Sequence, residues 1–92
     1  MRRTDARINR KKLLKRLAQG AFLNVGFVAM CDLVQGYGFK LLRISGSHRI
    51  FGHEGLAEQV NLQEVKGEAK PYQIRQFLRL VERYDLRMES EE

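Results

Sequence analysis

The stretch Pro71–Arg83, PYQIRQFLRLVER, limits the fold of this chain more than any other. Ile74, Phe77, Leu78 and Val81 recur at i, i+3, i+4 and i+7, which is the spacing of one stripe on an α-helix. Pro71 stands where proline is tolerated, in the first helical turn. Arg75, Arg79, Glu82 and Arg83 fall on the opposite side, where the three arginines form a basic ridge that either meets RNA or is solvated. A helix with one apolar stripe is stable only against another apolar surface, so the stripe is core and the rest of the chain must supply the layer beneath it. With 92 residues there is room for a single modest core.

The residues before Pro71 supply that layer in short pieces. Ile8–Gln19 reads as a helix with Ile8, Leu13, Leu14 and Leu17 as its apolar positions, stopped by Gly20. Phe27–Gln35 repeats the helical spacing through Phe27, Met30, Cys31 and Val34, and Gly36-Tyr37-Gly38 ends it. Phe39–Ser45 is strand-like, Gly46-Ser47 is a two-residue hairpin turn, and His48–Gly52 is the returning strand. Residues 58–65 alternate, Val60 and Leu62 on one face, Asn61, Gln63 and Val65 on the other, before Lys66-Gly67-Glu68 turns the chain. Three consecutive strands on short turns form an antiparallel meander, and helices cover one face of it. The expected fold is therefore α+β. It is a three-stranded antiparallel sheet of the double-stranded-RNA-binding type, with helices packed on one face and an extra N-terminal helix. The expected organisation is a basic arm and short helix over 1–20, the main domain over 21–88 and an acidic tail over 89–92.

Charge separates the arm from the body. Residues 1–16 carry eight basic side chains against Asp5 alone, net +7, and the remaining 76 residues hold nine basic and ten acidic groups, net −1. An arm of this kind suits a polyanion, or it is a solvated tail. The single cysteine, Cys31, allows no intrachain disulfide, so a reducing, cytoplasmic setting is expected. The apolar run Ala21–Met30 is too short to span a bilayer and is interrupted by Asn24 and Gly26, and no signal-peptide pattern follows the basic start. Neither a membrane nor a cofactor is expected.

Both histidines lie in one segment, ISGSHRIFGH. A metal site is disfavoured, because His48 and His53 are an odd number of residues apart on an extended chain and no ligand motif surrounds them. A serine hydrolase is disfavoured as well: Ser47 and His48 are adjacent and diverge, and no strand-to-helix elbow carries a serine. General acid–base chemistry asks for less. RNA brings its own nucleophile, the 2′-hydroxyl, and needs only an imidazole to move a proton and cations to hold the phosphate. His48, at the lip of the turn, with Arg49 beside it and Lys40 or Arg43 on the paired strand, satisfies that list; His53 reads as structural or loop-exposed.

Taken in order, Gly38-Phe39, Arg43, Gly46-Ser47-His48, Phe51 and Lys70-Pro71 resemble the HicA family of type II toxins, over about residues 27–86. The resemblance implies a double-stranded-RNA-binding-like fold. It also implies a metal-independent endoribonuclease that cuts messenger RNA, neutralised by a HicB-like antitoxin. The family's catalytic histidine falls on His48, and Gly46 and Ser47 shape the turn that presents it. Two positions depart from the family's habit: Arg49 stands where a second histidine often follows the first, and Glu54 stands where proline often follows the later histidine.

Lys40, Arg43, Arg49 and Lys70 are the candidate phosphate contacts, the arginines because guanidinium pairs bidentately with phosphate oxygens. Lys70 qualifies because it precedes a helix N-terminus with free N–H groups. Two other readings stand beside this one. One is a non-catalytic RNA-binding module of the same fold, reading A-form shape through the last helix and loops. The other is a cationic surface-active protein working through residues 1–17.

Overall fold

Two tight turns set the sheet. Ser45 pairs with His48 across Gly46-Ser47, and of those two only Gly46 has a positive φ (60°), the pattern of a type II′ hairpin turn with glycine first. At the other end Lys66 and Gly67 both have positive φ (53° and 79°), a two-residue type I′ turn that sends the chain straight back. The computed structural model describes residues 6–89, with side chains from Arg10 onward. Arg2 and Arg3 of the basic arm, the side chains of Arg7 and Ile8, and residues 90–92 of the acidic tail lie outside the described residues.

The elements run α1 (Ala6–Ala18), α2 (Phe27–Gly36), β1 (Lys40–Ser45), β2 (His48–Gly52), β3 (Val60–Val65), β4 (Glu68–Ala69) and α3 (Pro71–Arg83). They form an α+β protein with one antiparallel sheet in the order β1-β2-β3-β4. The sheet thus has four strands where three were expected. The type I′ turn keeps residues 68–69 in register with Glu64 and Val65, so the segment after the turn is a short strand and not a loop.

Register sorts the sheet residues onto two faces. Arg49, Phe51, Val60 and Leu62 point to the helix side, and the last three are core. Met30, Leu33 and Val34 of α2, with Ile74 and Phe77 of α3, close over them; all five are at most 1% exposed. Tyr37 and Phe39 meet the Phe77 ring edge-on, with centroids 5.5 and 5.8 Å away. A phenylalanine at that depth holds about 3–5 kcal/mol against truncation to alanine.

Leu78 and Val81, expected to be core with Ile74 and Phe77, are only half-buried. They line a groove of about 520 Å³ with Leu14, Leu17 and Phe22 from the α1 side. The stripe on α3 is wide enough to meet two neighbours, the sheet and α1. Helix α1 is itself joined to the body: Leu17 is in the core, and Arg10 grips Asp32 of α2 bidentately at 2.9 Å through both nitrogens. No helix among the described residues is long and apolar enough to cross a membrane.

The helices lie over β3 and β4, so β1 stands beyond their cover. All six of its residues are exposed, including Leu41 and Ile44, which point to the helix side, and Leu42. The ladder slips between Leu41 and Arg43, leaving Leu42 as a bulge.

Candidate nucleic-acid interface

The sheet face turned away from the helices carries His48 and Arg43 of the residues that sequence reasoning singled out. Ladder pairs Ser45↔His48, Arg43↔Ile50, His48↔Gln63 and Ile50↔Asn61 put Arg43, Ser45, His48, Asn61 and Gln63 on this one open face. Arg43 is a diagonal neighbour of His48, a separation of about 7–8 Å between such positions. Ile50, the ladder partner of Arg43, is 8% exposed although it lies outside the core cluster.

His48 is half-buried at the first position of β2. Its Nδ1 lies 3.0 Å from Asn61 Oδ1. An amide oxygen only accepts, so Nδ1 is the protonated nitrogen, and in the neutral ring Nε2 keeps its lone pair for another proton. This pairing fixes both the tautomer and the ring plane. Asn61 was assigned to the face opposite Val60 and Leu62 by alternation alone. Its role as the partner of His48 depends on the β2–β3 register, which only the structure supplies.

A chain of hydrogen bonds runs beside the histidine. Gln63 Nε2 donates to Ser47 Oγ at 3.3 Å, and Lys70 Nζ donates to Gln63 Oε1 at 3.1 Å. The Ser47 carbonyl also accepts from the Glu64 N–H at 2.9 Å, tying the hairpin turn to β3. Lys70, the residue before α3, is held with its ammonium 5.6 Å from the Tyr72 ring centroid. The helix entrance is braced from within: buried Gln73 accepts the Gln63 N–H at 2.7 Å, on the side of β3 away from β2 and beyond the reach of β4.

The structure thus brings together His48, Ser47, Arg43 and Lys70, with Gly46 forming the turn. Arg49 is placed elsewhere. It shares a strand with His48 but is one residue away, so it points to the helix side, its guanidinium 5.2 Å from the Phe27 ring centroid. There it neighbours the Cys31 thiol, whose pKa burial pushes up and Arg49 draws part of the way back down. Lys40 lies at the far end of β1, beside His53. Of the basic ridge on α3, Arg83 pairs with Glu58 at 3.1 Å and Arg75 stacks over Phe22, so neither faces the open side of the sheet. The Tyr84 hydroxyl donates to Glu58 as well, at 2.7 Å, and that bond, more than Arg83, holds the Glu58 carboxyl below its usual range.

Among the described residues no group of three or more His, Cys, Asp or Glu is arranged to hold a metal ion. Comparison with protein-family models, with curated proteins and with solved structures finds no match for this chain.

Proposed function

We propose that this chain is an endoribonuclease of the HicA kind, the toxin of a toxin–antitoxin pair, cutting messenger RNA in the cytoplasm by histidine catalysis without a metal. The observation that carries the reading is the bond from His48 Nδ1 to Asn61 Oδ1, which leaves Nε2 as the basic nitrogen on the open face. A four-stranded sheet with helices on one side fits a variant of the double-stranded-RNA-binding architecture, extended by α1 and β4.

In this reading an RNA phosphate sits between Arg43 and Lys70. Nε2 of His48 takes the proton of the adjacent 2′-hydroxyl. The 2′-oxygen bonds to phosphorus, the bond to the 5′-oxygen breaks, and that oxygen takes a proton from the imidazolium or from water. The products are a 2′,3′-cyclic phosphate and a 5′-hydroxyl. General acid–base action of this kind supplies about 10²–10⁴-fold, and the cations stabilise the charge that builds on phosphorus. A HicB-like antitoxin would silence the protein by covering this face.

His48→Ala should lose cleavage of RNA, and growth arrest on induced expression, while keeping RNA affinity. Asn61→Ala should lower kcat roughly 10-fold or more, a part of the acid–base contribution, with KM and melting temperature held. If wild type and His48→Ala bind RNA equally and neither cuts it, the protein is a binding module and the nuclease reading is wrong.

A further inference from the structure

A second cleft, about 530 Å³ in volume, opens at the far end of the sheet, between β1, the end of β2 and the segment after α3, with Lys40 and Gly52 carrying the open face to its rim. It is built by departures from regular structure. The β1 bulge leaves Leu42 without a ladder partner, and its side chain lies across Gly52, where a Cβ would stand only 2.7 Å from Leu42 Cδ1. Bulges re-aim side chains in this way next to binding sites. Leu42 forms one wall and Leu56 another.

The polar groups of the cleft are oriented. His53, one residue past β2, accepts the Gly55 N–H on Nδ1 at 2.9 Å and packs edge-on to Phe39, ring centroids 5.0 Å apart. With Nδ1 accepting, the neutral ring carries its proton on Nε2. That nitrogen turns toward Gly38, as does Glu89: a Cβ on Gly38 would lie 3.3 Å from His53 Nε2 and 2.8 Å from Glu89 Oε2. Only a residue without a side chain lets this donor and this acceptor approach the same point. The Glu89 backbone N–H is anchored on the Gly36 carbonyl at 2.7 Å, which fixes where its carboxylate starts. Lys40, Glu54 and Gln59 complete the polar lining.

Two carboxylates against one lysine make this a poor phosphate site. An N–H donor beside a carboxylate, between aliphatic walls, instead matches a flat heterocycle that offers an acceptor next to two donors. Guanine does so: O6 accepts, and N1–H and the N2 amine donate together to one carboxylate. Uracil has a single N–H between two acceptors, and adenine and cytosine have no adjacent pair of donors. His48 and His53 are five residues apart, about 16 Å along a strand, and Arg43 lies on the open face between His48 and the Lys40–Gly52 rim of the cleft.

We propose that this cleft takes a guanine base of the RNA, O6 on His53 Nε2 and N1–H and N2–H₂ on Glu89, and thereby sets a sequence preference at a fixed offset from the cut. The proposal rests on the reading of the open face as an RNA site, and its test separates the two. The His48→Ala protein, full chain, is titrated with the 5′-monophosphates of guanosine, adenosine, cytidine, uridine and inosine while backbone amides are followed by NMR. Guanosine monophosphate should move the amides of Gly38, Gly52 and Gly55 saturably, on the order of 10-fold tighter than the other three standard nucleotides. Inosine monophosphate, which lacks the N2 amine, should lose most of that margin, as should Glu89→Ala, whose exposed side chain leaves the fold intact. Equal binding of all bases, shifts located elsewhere, or a guanine margin that survives Glu89→Ala would overturn the proposal. Cleavage mapping with wild type supplies the other arm. Cuts that depend on His48 but show no guanine at a constant offset sink the guanine cleft and leave the nuclease; guanine binding without any cleavage sinks the nuclease and leaves the cleft.

Discussion

Arg43 and Arg49 both look like phosphate ligands in the sequence, and strand parity divides them. Arg43 shares the open face with His48, whereas Arg49 spends its charge on Phe27 and Cys31 under the helices. Arg43→Ala should therefore weaken RNA binding and flatten the dependence of log K on log salt by about one unit, with little change in melting temperature. Arg49→Ala should leave the salt slope alone and lower the melting temperature, losing a cation–π contact of about 0.5–2 kcal/mol. Fluorescence anisotropy across a salt series, with thermal melts, distinguishes them. Much of this site is legible in the sequence, because Gly46-Ser47 fixes a two-residue turn and with it the face of every residue in β1 below the bulge and in β2. Asn61 and the anchoring of His53 are not legible: the first needs the β2–β3 register, set across a seven-residue loop, and the second needs the backbone of Gly55 to fold back onto the ring.

At the level of elements, both later helices and the first three strands follow from periodicity, with ends shifted by a residue or two. Strand β4 does not. Its turn is Lys-Gly, not the Asn-Gly or Asp-Gly that announces a type I′ turn, and two residues are too few to show alternation. The half-burial of Leu78 and Val81 is likewise invisible in a helical stripe, which says how wide the apolar face is but not how many neighbours share it. Strand β1 carries a separate expectation. Its outer edge is unpaired in the sheet order and its Leu41, Leu42 and Ile44 are 42%, 52% and 58% exposed, a surface that invites edge-to-edge pairing. Ile44→Lys should reduce light scattering and self-association at high concentration while changing stability by no more than about 0.5 kcal/mol.

For the whole molecule, two buried acids govern behaviour in alkali. Burial raises the pKa of Cys31 from an ordinary 9.0 and that of Tyr37 from an ordinary 10.0. Above pH 9 the unfolded chain releases protons that the folded chain retains, so stability is full below the unfolded value and declines as pH rises past it. Melting temperature followed by circular dichroism should hold to about pH 8.5 and then fall, and Cys31→Ala should soften the first part of that fall.

Each strand in this sheet neighbours the one before it in the chain, with no crossover anywhere along β1-β2-β3-β4. Such pairings close only short loops, so assembly can advance hairpin by hairpin, which places the protein toward the rapid end for mixed α/β domains. The plug of the core nevertheless arrives after the sheet: Ile74 and Phe77 follow all four strands in order of synthesis. A nascent chain still waiting for α3 holds a zipped meander roofed by α2 alone, with the greasy patch that Ile74 and Phe77 will seal still open, and it is at that moment on the ribosome, rather than once folded, that it has most need of a chaperone.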